Sequence, residues 1–182
     1  MHPLDALNCP LSGINLIEAS AGTGKTWTIA ALYTRLLLED APDGTPPPTL
    51  DRLLVVTYTK AATAELRERL RRRLVELWQL LDGQTQGSDP FLQALAARLA
   101  ASNLDLARQR LRDAITGFDA AAIYTIHGFC QRVLTDAAFD SGQTFAAELA
   151  TDNLAELQQL ADDFWRTRIV AQLALAQILA EN

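Results

Sequence analysis

The run Ala19-Ser20-Ala21-Gly22-Thr23-Gly24-Lys25-Thr26 brings together the residue types that grip a phosphate. A loop of small residues lets successive backbone N–H groups point inward at phosphate oxygens, and a helix opening at Lys25 adds the partial positive charge of its N-terminus. Lys25 is then placed to reach β- and γ-phosphates, and the Thr26 hydroxyl to ligate Mg²⁺ carried by the nucleotide. The spacing is that of a P-loop, with Ala19 where the strict pattern has Gly, a mild departure because Ala is nearly as small. Residues 19–26 are therefore the candidate nucleotide site, ATP with Mg²⁺ the candidate cofactors, and Lys25 the one residue with a charge to bring to the reacting phosphates. The bland alternative is an accidental glycine turn. Against it, the chain has only two lysines, Lys25 and Lys60, beside fourteen arginines. Lys stands where a flexible point charge suits a phosphate better than a planar fork.

Two more polar segments carry candidate chemistry: Thr57-Tyr58-Thr59-Lys60 and Thr125-Ile126-His127. The elements that must position all three follow from periodicity. Ile14-Asn15-Leu16-Ile17 reads as a short buried strand, and Trp27 to Leu38 as a helix with Ile29, Leu32, Leu36 and Leu37 largely on one face. Asp40 to Thr49, with four prolines and one glycine, is a loop. Leu53 to Thr57 is a continuous apolar run suited to a strand buried on both faces of a parallel sheet. A long helix then runs to about Leu81, its core stripe Leu66, Leu70, Leu74, Leu77 and Leu81. Arg67, Arg69, Arg71, Arg72 and Arg73 fall mostly off that stripe. A basic face could track phosphates, but Glu65–Arg69 and Glu68–Arg72 are i,i+4 pairs in the favourable order, which favours a solvated, salt-bridged face.

Asp82 to Pro90 is a polar turn. Phe91 to Ala101 and Leu104 to Thr116 read as two amphipathic helices, the second capped by Asn103. Ala121 to Thr125 is a third strand, entering a helix at Ile126; Phe129 and Cys130 on it read as core. Ser141-Gly142-Gln143 breaks the pattern, and residues from about Thr151 onward read as helical. Three strands each followed by helix give an α/β fold of P-loop NTPase, RecA-like type: an incomplete parallel sheet with extra helices and a helical C-terminal segment. Ligands in such sheets sit at the carboxyl ends of strands, where all three polar segments fall.

With 182 residues and 49% hydrophobic content the chain can hold one ordinary domain and the start of another. A net charge of −6 excludes a general polyanion binder, so any nucleic-acid contact must be local. Cys9 and Cys130 form neither a metal pattern nor a disulfide framework. The N-terminus lacks signal-peptide regions and no apolar run is long enough to span a membrane. The expectation is a soluble cytoplasmic protein.

Three segments in this order resemble the first motifs of superfamily 1 helicases of the UvrD/Rep kind, within it the helicase–nuclease subunits. They are residues 17–26, residues 54–59 with 61–67, and residues 124–132; Ala138-Phe139-Asp140-Ser141-Gly142 and Ala161-Asp162-Asp163-Phe164-Trp165-Arg166 add to the likeness. The resemblance implies a DNA-unwinding ATPase acting in recombinational repair alongside partner subunits. It implies that Thr57, Tyr58, Thr59, Thr125 and His127 contact single-stranded DNA, with Thr59 and Thr125 on phosphates and His127, Tyr58 or Phe129 on sugar or base faces. A satisfied core histidine is the alternative for His127.

Two departures stand out. No glutamine precedes the P-loop to read adenine, so base recognition would rest on contacts around Leu7 to Leu11. No apolar strand ending in Asp-Glu follows: Asp162-Asp163 lies in a helical, Trp-containing stretch, and Asp119 follows too polar a run. The second Mg²⁺ ligand, the water-activating glutamate, the arginine fingers and a nuclease carboxylate cluster have no counterpart. The expected arrangement is therefore the N-terminal part of a motor domain over residues 1–140, followed at 141–182 by the helical start of an inserted subdomain. Rival readings are another UvrD-like or AddA-type helicase, a small P-loop kinase, and a non-catalytic module that binds DNA or a partner. A kinase needs a mobile basic lid, and residues 67–73 lie on a regular amphipathic helix.

Overall fold

In a computed structural model, residues 4–20, 22–137 and 154–169 are described. They divide into two compact units, residues 1–133 and 134–182. The expected boundary near residue 140 and the break at 141–143 lie outside the described residues.

The first unit is built on three helices. Helix α1 (Lys25–Leu38) starts at Gly24. Helix α2 (Lys60–Leu81) follows a β/extended Thr59 and stops where Gly83 takes a φ of +72°, a backbone region that favours glycine. Three bonds close that end: Asp82 N–H to the Trp78 carbonyl, Gly83 N–H to Leu80 and Gln84 N–H to Gln79. Helix α3 (Pro90–Thr116) opens with Asp89 accepting from the Phe91 N–H and with Pro at its first position, where no N–H is needed. Asn103 has extended backbone inside α3, and its Oδ1 accepts from the Leu106 N–H at 3.0 Å. The two helices read from the sequence, and the cap between them, are thus both present.

The core lies where these helices meet. Leu66, Leu70, Leu74, Leu77 and Leu81 are all buried, as their spacing predicts, against Leu92, Leu95, Leu99 and Leu111 of α3. Each fully buried leucine contributes about 1.5–3 kcal/mol. On α1 the buried face differs from the expected one: Ala30, Ala31, Tyr33, Thr34, Arg35, Leu37 and Leu38 are buried, whereas Ile29 is exposed. Arg35 is part of that face: its guanidinium is neutralised by Glu39 at 2.7 Å and donates to the Ala6 and Cys9 carbonyls at 2.9 Å each, which makes its burial tolerable.

Strands β1 (Val55–Thr57) and β2 (Ile123–Thr125) pair in parallel, Val55 opposite Ile123, Val56 opposite Tyr124 and Thr57 opposite Thr125. The long crossover through α2 and α3 is what a parallel pair requires. A short 3₁₀ turn, Phe118–Ala120, precedes β2, and α4 (Ile126–Asp136) follows it directly. Ile14-Asn15-Leu16-Ile17 does not form the expected strand. It has no regular secondary structure and pairs with no strand, and Ile14 is 104% and Leu16 85% exposed. A strand is held by a backbone ladder to a neighbour, and Ile14 to Ile17 join neither β1 nor β2, the two strands of the sheet among the described residues. The second unit contributes α5 (Leu154–Phe164), which places Asp162 and Asp163 on a helix as read, and a π-helical turn, Trp165–Ile169.

Candidate functional site

The glycine loop ends in two residues with left-handed backbone, Gly22 at φ +78° and Gly24 at φ +86°. A side chain at either would be strained although neither is crowded. The loop closes on the Ser20 carbonyl, which accepts from Thr23 N–H at 3.4 Å, Thr23 Oγ1 at 2.7 Å and Lys25 Nζ at 2.6 Å. Lys25 Nζ also donates to the Ala19 carbonyl at 3.1 Å. The ammonium is therefore folded over the loop, its partners among the described residues being two carbonyls that a phosphate could replace. Ala21 lies outside the described residues.

The three long helices of the first unit start differently. Thr59 caps α2 by accepting from the Ala62 N–H and Asp89 caps α3, but Gly24 gives α1 no side-chain cap. The first turn of α1 therefore receives no side-chain acceptor from its cap residue, and Lys25 and Thr26 lie at the same turn. The Lys25 ammonium and the backbone N–H groups of that turn fit the β- and γ-phosphates of a nucleotide, and the half-buried Thr26 hydroxyl fits a magnesium ligand. No group of three or more His, Cys, Asp or Glu among the described residues could hold a metal by itself.

The segment expected to meet the base is held in place by its own polar contacts. Asp5 Oδ1 accepts from the Leu7 N–H at 2.9 Å and Oδ2 from Asn8 Nδ2 at 2.7 Å, and these bonds, the one from the Asn8 side chain first, hold the Asp5 carboxyl below its usual range. Arg35 binds the Ala6 and Cys9 carbonyls and Arg98 the Leu7 carbonyl at 2.8 Å. Arg35 lies ten residues along α1 from Lys25, about 15 Å at the helical rise. The Leu7 to Cys9 stretch is accordingly pinned at the far end of α1.

At the C-terminal ends of the strands, Thr57 Oγ1 donates to the Thr59 carbonyl at 3.2 Å and shares a hydrogen bond with the Thr63 hydroxyl, so its O–H is engaged within the turn. Thr59 Oγ1 accepts from Ala62 N–H at 3.1 Å and Thr125 Oγ1 from Gly128 N–H at 3.1 Å. Each is engaged as an acceptor, which leaves an O–H to donate. Tyr58 is 87% exposed and His127 is exposed on the first turn of α4, not a core histidine. Phe129 is half-buried, but Cys130 is exposed, so the core reading of Cys130 is corrected: α4 has no fully buried residue. Both thiols are free.

The arginine run divides by role. Arg69 pairs with Glu65 at 2.7 Å as expected, whereas Arg72 lies 4.0 Å from Glu76 instead of meeting Glu68. Arg67 donates to the Ala121 and Ile123 carbonyls, both at 3.2 Å, tying α2 to β2. Arg71 reaches Asp119 at 3.3 Å, in the 3₁₀ turn and not on a strand. Arg73, read as part of a solvated face, is buried. The signal was in the spacing: 66, 70, 73 and 77 also recur at helical intervals, and the charge at 73 concealed it.

Comparison with known proteins gives these features a setting. The chain is 44% identical over 172 residues to RecBCD enzyme subunit RecB of Haemophilus influenzae and 47% identical over 165 residues to that of Escherichia coli. Each match covers 90% of this chain and 14% of the relative. RecBCD enzyme subunit RecB of Buchnera aphidicola is 41% identical over 165 residues. The chain thus spans about one seventh of the length of these relatives. The profile of the UvrD/REP helicase N-terminal domain matches residues 2–180, and the chain belongs to that family.

Proposed function

We propose that residues 19–26 bind the phosphates of ATP with Mg²⁺ at Thr26, as the P-loop of a RecA-like motor domain. The observation that carries this reading is the uncapped N-terminus of α1 beneath a lysine held by loop carbonyls. A bound ATP would supply the free energy of hydrolysis of its β–γ phosphoanhydride bond. Lys25, released from the Ala19 and Ser20 carbonyls, would offset the charge of the β- and γ-oxygens.

The polypeptide that carries this chain acts as a RecB-like helicase and exonuclease subunit in the cytoplasm. It translocates on single-stranded DNA and unwinds duplex ends for recombinational double-strand-break repair, with RecC- and RecD-like partners. Identity to the RecB relatives supports this assignment over an AddA-type helicase or a kinase, and the regular helix bearing Arg67 to Arg73 offers no mobile lid. Thr59, Thr125 and His127, with Tyr58 beside them, form the DNA-tracking edge, and Thr57 shapes the turn that presents Thr59. No described helix is long and apolar enough to cross a membrane.

The test is calorimetry with Mg·ADP and Mg·ATP. Residues 1–182 should bind both weakly and Lys25→Ala should bind neither; equal affinity of the variant and the parent refutes the role of Lys25. Residues 1–182 should also turn over no ATP, with or without single-stranded DNA. Asp119, Asp162 and Asp163 all lie off strands, and the sequence supplies no water-activating glutamate for the site.

A further inference from the structure

Arg73 is 6% exposed near the middle of α2, on the stripe otherwise made of leucines. Its guanidinium lies 5.0 Å from the centroid of the Trp27 ring and 5.0 Å from that of Phe91. Those two rings meet edge to face, 5.5 Å apart at 74°. Arg73 Nη2 also donates to Asp89 Oδ2 at 2.8 Å, while Asp89 Oδ1 caps α3. One buried cation therefore joins the first turn of α1, the middle of α2 and the start of α3. Trp27 follows Lys25 and Thr26 within that same turn, so whatever fixes its ring fixes the rotation of the turn that aims both residues.

The arrangement is costly as plain packing. Burial disfavours the charged guanidinium, Asp89 opposes that effect, and Arg73 Nε finds no partner among the described residues. A leucine or methionine would fill the stripe without desolvating a charge. What an apolar residue could not do is hold two aromatic faces and a cap carboxylate in one geometry.

We infer that Arg73 is a positioning residue for the phosphate site, acting through Trp27 to set the direction of Lys25 and Thr26. This rests on the nucleotide-binding reading of residues 19–26. Arg112, stacked 5.5 Å over Trp78, provides the same kind of contact away from the loop and serves as the control.

The experiment measures Mg·ADP affinity by calorimetry on the intact polypeptide, with folding checked by circular dichroism. Arg73→Met and Trp27→Leu should each lower affinity about tenfold, the change that 1.4 kcal/mol makes. The double variant should fall no further than either single one, because both remove the same contact. Arg73→Lys keeps the charge but not the plane and should lose less than Arg73→Met, and Trp27→Phe keeps an aromatic face and should lose less than Trp27→Leu. Arg112→Met should bind as the parent does. If Lys25→Ala loses binding while folded Trp27→Leu keeps it, the positioning role is wrong and the phosphate site stands. If Lys25→Ala binds normally, the phosphate site itself is wrong and the inference goes with it. Should Arg73→Met not fold, Trp27→Leu and Trp27→Phe decide the matter, since Trp27 is partly exposed.

Discussion

Thr57 and Thr125 face each other at the last register position of the parallel pair. The two segments singled out for DNA contact therefore leave the sheet side by side, each turning at once into a helix. Thr59 and Thr125 each accept an N–H from their helix's first turn, so two helix N-termini share one edge with two hydroxyl groups aimed by their own caps. The first prediction concerns this edge. In the intact polypeptide, His127→Ala should weaken single-stranded DNA binding and DNA-stimulated ATPase about tenfold, within the range for loss of one stacking side chain. Nucleotide affinity without DNA should be unchanged. A variant with parental DNA affinity across a salt series would remove His127 from the contact surface.

Thr125→Val keeps the shape of the side chain and removes the acceptor for the Gly128 N–H. It should cost about 1 kcal/mol of stability, as other lost caps do. Denaturant titration should show the variant destabilised; a parental midpoint would mean that this cap is not formed.

Arg67→Met leaves the Ile123 carbonyl without its guanidinium donor, while the Ala121 carbonyl keeps the Ile123 N–H at 2.9 Å. A buried acceptor left unmet costs about 1–3 kcal/mol, so the variant should unfold at clearly lower denaturant concentration than Arg69→Met. Arg69 makes one pair with Glu65 at a partly exposed position, the kind worth well under about 1 kcal/mol. Equal midpoints for the two variants would refute the bridge.

Tyr33 is buried with a hydroxyl that has no partner among the described residues, and burial pushes its phenol up to about 12, against a small opposing pull from Arg67. The raised value makes stability complete below pH 10, where neither folded nor unfolded Tyr33 ionises. It is lost as pH climbs from 10 towards 12, because the unfolded chain releases its proton first. Tyr33→Phe should therefore be as stable as the parent at neutral pH and should show a weaker decline above pH 10. A loss of more than about 1 kcal/mol at pH 7 would show that the hydroxyl is bonded after all.

The glycine loop, the α2 stripe and the break at Asn103 were legible because each depends on local chemistry: left-handed glycines, period-3.6 leucines, and an amide capping the helix that follows it. The strand at Ile14 to Ile17 was not, because an apolar run shows that a segment can be buried but not whether a neighbour exists to pair with it. Arg35, Arg67 and Arg73 were hidden for a related reason. A charged residue in a helix reads as solvent-facing, and only three-dimensional structure reveals the carbonyls, rings and carboxylates that make its burial tolerable. Cys130 erred the other way, an apolar-leaning residue on a helix whose described residues are never fully covered.

The pairing of Val55 with Ile123 also sets an order of assembly. Helices α2 and α3 are consecutive in the chain and can bury their leucines after closing only a short turn. The two strands must wait for the whole crossover to fold before their ladder closes, and loop-closure entropy delays contacts between distant residues. The ladder that ends at Thr57 and Thr125 should then form after the α2–α3 pair and open before it. Amide exchange should show this as slow protection at Leu70, Leu74 and Leu95 and much faster exchange along β1 and β2.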